Sequence, residues 1–272
     1  MRGHVTIGWL YPTALSTYGD RGNVLALAQR ARWRGLEARV VPIEREDLIP
    51  EDIDIFFIGG GQDRAQAQVA ATLIHVHGSV LRDRLSDGAS LLAICGGYQL
   101  LCHEYVTLNG ELIRGVGIFD AMTRASRGRL VGDVRLSTPW GDVVGFENHS
   151  GRTYLGAGAE PLGRVESGQG NNGEDGTEGV VSGRAIGSYL HGALLPRNPE
   201  LADWLLLEGV RRSKPASHLD ALPDDWERAT HVPFDRKRRA RLLSPRRPHG
   251  LWRRGANLYV HRPATSVDPR AQ

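Results

Sequence analysis

Four short apolar runs punctuate the first hundred positions of the chain: HVTIGWLY (4–11), ARVVPI (38–43), IDIFFIG (53–59) and SLLAI (90–94). They are rich in β-branched or aromatic residues and nearly free of polar alternation, the pattern of strands covered on both faces. Helical spacing fills the gaps. Leu25, Ala28 and Trp33 fall near one face of a first helix, and Val69, Leu73, Val76 and Val80 recur at intervals of three or four in a second. Strand and helix alternating at this rhythm predict an α/β fold with a mostly parallel sheet flanked by helices. In such sheets ligands gather at the carboxyl ends of the strands, where GGGQD (59–63) and Cys95 both fall.

After residue 110 the pattern changes to shorter, hairpin-like pieces, RLVGDVRL (129–136), DVVGFENH (142–149) and GVVSGRAIGSYLHG (179–192), separated by Gly-rich connections. The segment GQGNNGEDGTEG (168–179) has too little apolar content to pack and is expected to be a mobile surface loop. A last helix should begin at NPELADWLLLEGVRR, with Asn198 as its N-cap, Pro199 in the first helical position and Glu200 in the first turn. Beyond Pro233 no period is sustained, and there is no internal repeat.

Composition separates two regions. From Arg236 to the end there are eleven Arg or Lys residues and one acid, Asp268, whereas residues 1–235 are mildly acidic. The expected division is therefore a folded domain over 1–235 and a basic tail over 236–272 without order of its own. The N-terminus lacks the apolar core of a signal peptide, and no window approaches the ~20 apolar residues of a membrane span. Two cysteines in one apolar region, Cys95 and Cys102, argue against a disulfide framework. A cytoplasmic protein is expected, its tail suited to peripheral contact with the inner face of a membrane.

Cys95 stands where SLLAI gives way to the helical pattern GGYQLL. A side chain at such a turn is pushed out above the sheet, while the N–H groups of the following helix point at whatever it attacks. The helix dipole favours the thiolate, and the Gly96 N–H is available to an oxyanion. The alternative fate of a lone cysteine, burial as a small hydrophobe, suits Cys102 among its leucines. A nucleophile needs a base, and His191 in SYLHG follows another apolar run whose end can return to the elbow. His75 and His77 are two residues apart in a helical pattern, which does not place both on one face as metal ligands. They are expected to be surface or packing residues, and no metal site is expected.

The run Ala93-Ile94-Cys95-Gly96-Gly97-Tyr98-Gln99 resembles the nucleophile elbow of class I glutamine amidotransferases, Gly-x-Cys-x-Gly-x-Gln, with Ala93 in place of the first glycine. Together with GGGQD, YGDRGN (18–23), GFENHSGRT (145–153), NNGEDGTEG (171–179) and SYLHGALLPRNPELADWLL (188–206), the chain is similar to the cobyric-acid-synthase-like branch. Within that branch it most resembles the glutaminase subunits of lipid II isoglutaminyl synthases, over residues 4 to 231. The resemblance implies a flavodoxin-like sheet, Cys95 as nucleophile and His191 as general base and acid. It also implies an oxyanion hole shared by Gly60, Gly61 and Gly96, Arg129 on the α-carboxylate of glutamine, and Gln99 beside the substrate. A guanidinium suits a carboxylate because it donates two parallel hydrogen bonds, although Arg129 among Arg124 and Arg127 also fits a solvated strand end.

Many class I enzymes carry a glutamate two residues after the histidine, but here that position is Ala193. By resemblance the missing third group is expected from an aspartate of a partner chain. The chain has no Gly-x-x-x-x-Gly-Lys-Ser/Thr phosphate loop, so no cofactor is expected on it. ATP and Mg belong on a Mur-ligase-like synthetase with which it would pair, the acceptor being the α-carboxylate of D-glutamate in lipid II. Corrinoid amidation is the enzymatic rival. It is disfavoured because those domains follow a P-loop domain, whereas this chain enters its first strand almost at once. A degenerate fold serving as a binding module is the second rival, and nucleic-acid binding by the tail is not expected.

Overall fold

The structure, a computed structural model, describes residues 3–231. The boundary expected at residue 235 and the basic tail beyond it lie outside the described residues. All four predicted strands form: β1 (His4–Leu10), β2 (Glu37–Ile43), β3 (Ile55–Ile58) and β4 (Ser90–Ile94). They build a six-stranded sheet in the order β11-β12-β4-β3-β1-β2, with β11 at Val180–Ser182 and β12 at Ala185–Ser188. Every pairing in it is parallel except that of the edge strand β11, as expected for this fold class.

The uniform apolarity of the central strands follows from cover on both faces. Ile55 and Phe57 of β3 and Leu92 and Ile94 of β4 pack into one layer with α1 (Arg21–Trp33). Phe56, Ile58, Leu91 and Ala93 face the opposite layer with α2 (Asp63–Thr72) and α3 (Gly78–Ser86). Successive residues of a strand point to opposite faces, so each strand feeds both layers.

Two helix faces differ from expectation. In α1 the core face is Val24, Leu27, Ala28 and Ala31, while Leu25 and Trp33 are more than half exposed. Between α2 and α3 the chain makes one π-helical turn, Leu73–His77. The additional residue in that turn keeps a four-residue spacing in register with the core, so Val69, Leu73, His77 and Leu81 are buried and Val76 is turned out. His77 is a packing residue: its Nε2 donates to the Asp47 carbonyl, which leaves Nδ1 to accept from the Tyr11 hydroxyl at 2.6 Å.

After α4 (Gly96–Leu101), β5 (Glu104–Val106) and β6 (Leu112–Arg114) lead into a long hairpin of β7 (Ala121–Thr138) and β8 (Gly141–Leu155). With β9 (Gly163–Ser167), β10 (Thr177–Glu178) and β13 (Leu190–His191) these form a second, mostly antiparallel sheet. The β7–β8 register slips between Ala125 and Leu130, so four residues of β7 bulge out, Arg129 among them.

The segment expected to be a mobile loop is instead held from within. Glu147 accepts the N–H groups of Gln169 and Gly170, Asn171 pairs with both backbone groups of Gly179, and Asn172 donates to the Thr153 carbonyl. Asn171 and Asn172 are buried. Polar side chains serve here as the packing, which low apolar content alone does not reveal.

The last long helix, α6 (Pro199–Ser213), starts where expected after the short α5 (Leu194–Arg197). Asn198 stands at the N-cap position as expected, but its side chain makes no capping bond; its amide pairs instead with the N–H and carbonyl of Val144, stitching α6 to β8. Arg30 of α1, buried, binds Asp203 of α6 and Asp224 just ahead of α7 (Asp225–Ala229), which ties the end of the described chain to the body.

Candidate active site

The loops that leave β1, β3 and β4, together with β13 beyond the end of β12, converge at the carboxyl edge of the parallel sheet. Among the described residues four non-glycines have positive φ, Tyr11, Tyr18, Cys95 and Ala193, and all lie on these connections. Cys95 is the most unusual, with φ 49° and ψ −102°. Such a conformation costs of order 1–3 kcal/mol and persists only where the surroundings impose it. Here the Cys95 N–H donates to the Ser188 carbonyl, continuing the β4–β12 ladder, and the Gly97 N–H donates to the Gly59 carbonyl. A Cβ at Gly97 would stand 2.9 Å from both Gly59 O and the Ile58 side chain, so a side chain there would force the elbow off its neighbour.

His191 and Cys95 come together as the sequence suggests. An acid of this chain also meets the imidazole, which the sequence reading did not foresee. Asp20, in the loop after β1, receives His191 Nδ1 at 3.1 Å, and both side chains are fully buried. A carboxylate on Nδ1 fixes the tautomer and leaves Nε2 for the thiol side. Nε2 makes no conventional hydrogen bond, and the imidazole is electrostatically coupled to Cys95. Burial works against the charged ring, but the hydrogen bond to Asp20 and the electrostatic attraction of Cys95 and Asp20 outweigh it, and the His191 pKa is pushed up to about 10. The Tyr18 ring stands edge-on to the imidazole at 5.0 Å and screens it from solvent.

The glycine turn needs one correction. The Gly60 N–H is donated to Asp20 Oδ2 at 2.7 Å, so Gly60 is not an oxyanion donor; its place is in holding the aspartate. Gly61 and Gly96 remain. Their close approach requires glycine, since a Cβ at Gly96 would stand 3.0 Å from Gly61 N.

A cavity of about 680 Å³ opens over Cys95, lined also by Thr17, Tyr18, Gly61, Gln99 and Arg129. Arg129 is brought in by the β7 bulge. Its Nε and Nη2 donate to Asn148, which steadies the guanidinium and leaves Nη1 for a ligand. Gln99 reaches the wall but is committed to protein partners. Its Oε1 accepts from Gln66 and its Nε2 donates to Tyr189 Oη, which in turn meets Thr153. It acts as a strut behind the elbow. Sequence reasoning missed Asp20, Gln66 and Tyr18. Asp20 and Tyr18 lie in the quoted YGDRGN run, an acid in a Gly-flanked turn at a strand's carboxyl end being the available signal.

A nucleophile-elbow cysteine backed by a buried His–Asp pair, on a parallel sheet with this order, is the architecture of class I glutamine amidotransferases. A crystal structure of a glutamine amidotransferase shares the fold with TM-score 0.54 at 20% identity, over 75% of this chain and 98% of that one. More narrowly, the CobB/CobQ-like glutamine amidotransferase domain matches residues 6–199, and the chain belongs to that family. It is 43% identical over 210 residues to the lipid II isoglutaminyl synthase (glutamine-hydrolyzing) subunit GatD of Staphylococcus aureus strain N315, covering 76% of this chain and 85% of that protein. It is 39% identical over 212 residues to the subunit GatD of Streptococcus pneumoniae strain ATCC BAA-255 / R6, covering 76% and 81%.

Proposed function

We propose that the chain is the glutamine-hydrolysing subunit of a lipid II isoglutaminyl synthase, releasing ammonia from L-glutamine for a partner subunit. The observation that carries this is the Asp20–His191–Cys95 array at the mouth of the cavity that holds Arg129, in a chain matched over most of its length by GatD subunits.

In this reading Arg129 takes the substrate α-carboxylate, which sends the carboxamide towards Cys95. The Cys95 thiolate, stabilised by the His191 imidazolium, attacks the carboxamide carbon, and the developing oxyanion is received by the N–H groups of Gly61 and Gly96. His191 Nε2–H protonates the departing nitrogen, and ammonia leaves. The neutral imidazole then takes a proton from water, which attacks the thioester and frees glutamate and the thiolate. Asp20 holds the ring and balances its charge throughout.

The partner is a Mur-ligase-like synthetase that carries ATP and Mg and activates the α-carboxylate of D-glutamate in lipid II, yielding D-isoglutamine. Among the described residues no helix is long and apolar enough to cross a membrane. The reading is tested by following glutamate release from glutamine, and ATP-dependent amidation of lipid II, by the purified chain with a Mur-ligase-like partner. Glutamine hydrolysis without transfer to lipid II, with transfer to a corrinoid acid instead, would replace this acceptor with the rival one.

A further inference from the structure

Glutamine offers two charged handles, and the site described so far answers only one. Arg129 suits the α-carboxylate, whereas the α-ammonium needs acceptors, because a cation taken from water without them pays a large desolvation penalty. Among the described residues that line the cavity the charged side chains are Arg64, Arg129 and a single carboxylate, Asp63. Asp63 opens α2 at the rim of the cavity, its side chain exposed.

Three residues further along the same helix, Gln66 also lines the cavity, and i, i+3 positions share a face. Gln66 is 2% exposed, and its amide orientation is fixed by its partners. Nε2 lies 3.2 Å from the Gly61 carbonyl and 2.9 Å from Gln99 Oε1. The Gly61 carbonyl can only accept, so Gln66 presents Nε2 on that side and Gln99 meets it with oxygen. Gln66 Oε1 is therefore an acceptor, and it is buried without a donor. Orphaned buried acceptors are rare enough to require a reason, and a charged donor arriving with the substrate supplies one.

We infer that the first turn of α2 is the ammonium subsite: Asp63 and Gln66 Oε1 receive the α-ammonium of an L-amino-acid amide while Arg129 holds its carboxylate. This rests on the glutaminase reading and makes the pair the determinants by which the site selects an α-amino acid. It also links substrate binding to catalysis, since Gln66 Nε2 holds the carbonyl of Gly61, whose N–H faces the oxyanion. An empty subsite leaves that link with one polar end unsatisfied.

The test compares glutamine with glutaramate, which is glutamine without its α-amino group, using the full chain in complex with its synthetase. The unmodified enzyme should prefer glutamine. Asp63→Asn should lower kcat/KM for glutamine by ~10- to 100-fold, chiefly through KM, and leave glutaramate turnover nearly unchanged, so that the preference collapses; Gln66→Met, which also gives up the Gly61 carbonyl, should slow both substrates but glutamine by the larger factor. An equal loss on both substrates, or an undiminished preference in either variant, overturns the subsite and leaves the glutaminase reading standing. Failure of the unmodified complex to hydrolyse glutamine overturns both.

Discussion

Replacing Asp20 with asparagine changes one atom in the buried core of the site. Asp20 Oδ1 receives His191 Nδ1 and Oδ2 receives the Gly60 N–H. Asparagine keeps one acceptor. With its oxygen on Gly60 it presents NH₂ to Nδ1, which selects the tautomer protonated on Nε2 and so removes the base that faces the thiol. The electrostatic loss adds to this. Burial lowers the His191 pKa while Asp20 and Cys95 raise it, and the net rise from 6.5 to about 10 amounts to ~5 kcal/mol in favour of the imidazolium. Losing the carboxylate charge weakens the imidazolium that faces Cys95, and a wrong tautomer by itself can cost up to ~10⁴-fold in kcat. We therefore expect Asp20→Asn to fold normally, bind glutamine with little change in KM and lose ~10²- to 10⁴-fold in kcat, with or without the partner. Glutamate formation across a pH series is the assay. Because a raised histidine pKa holds the imidazolium up to high pH, the basic limb of the profile should move to lower pH in the variant. Undiminished kcat, or a loss that the partner restores, would refute an intrachain triad.

Cys95→Ala and His191→Ala should abolish glutamine hydrolysis while leaving the thermal unfolding of the protein cooperative, and turnover at the wild-type rate by the Cys95 variant would reject the nucleophile. Arg129→Ala should weaken substrate capture by ~1.5–3 kcal/mol, read as a fall in kcat/KM dominated by KM; an unchanged value would return Arg129 to a solvated strand end. Glu178 is buried beneath the site, its Oε1 accepting from Ser188 Oγ and the Tyr189 N–H, and burial raises its pKa from 4.5 to about 7. With the folded value raised, its contribution is intact below pH 4.5 and is lost as pH climbs through about 7, a change of up to ~3 kcal/mol. Glu178→Gln should remove that slope in denaturant titrations, and identical slopes in both proteins would show that Glu178 does not ionise in this range.

The central sheet was legible because its signal is local and redundant. Ile55, Phe56, Phe57 and Ile58 are all buried, so the apolar run marks β3 whichever way its register falls. Helix faces were harder. Leu25 and Trp33 fit a helical period as well as Val24 and Ala31 do, and only packing against α6 and the sheet selects between them. The π-turn at Leu73–His77 defeats a 3.6-residue template outright, because the buried series continues at intervals of four. Residues 168–179 were misread for a different reason. A segment poor in apolar residues packs when buried carboxylates and amides meet its backbone groups, and Glu147 lies too far back in the sequence for composition to connect the two.

The site divides in the same way. Cys95 and its glycines are one contiguous motif, and His191 closes another, so both could be found by reading along the chain. Asp20 could not be found by offset from His191, since its partner is 171 residues away and the relation exists only in the fold. The rule that places an acid two residues after the histidine describes one way of presenting a carboxylate to Nδ1, and the loop after β1 is another. That loop does more than a side chain on β13 could. Asp20 joins the orientation of the base to the position of the glycine turn, because its two oxygens hold His191 and Gly60 separately, and the Thr17 N–H returns to the Gly60 carbonyl at 3.2 Å. Tyr18 and Gly19, both at positive φ, set the bend that makes this double contact possible. Base and oxyanion turn therefore move together or not at all. A shift of the segment from Thr17 to Asp20 would therefore change the orientation of His191 and the position of the glycine turn at once.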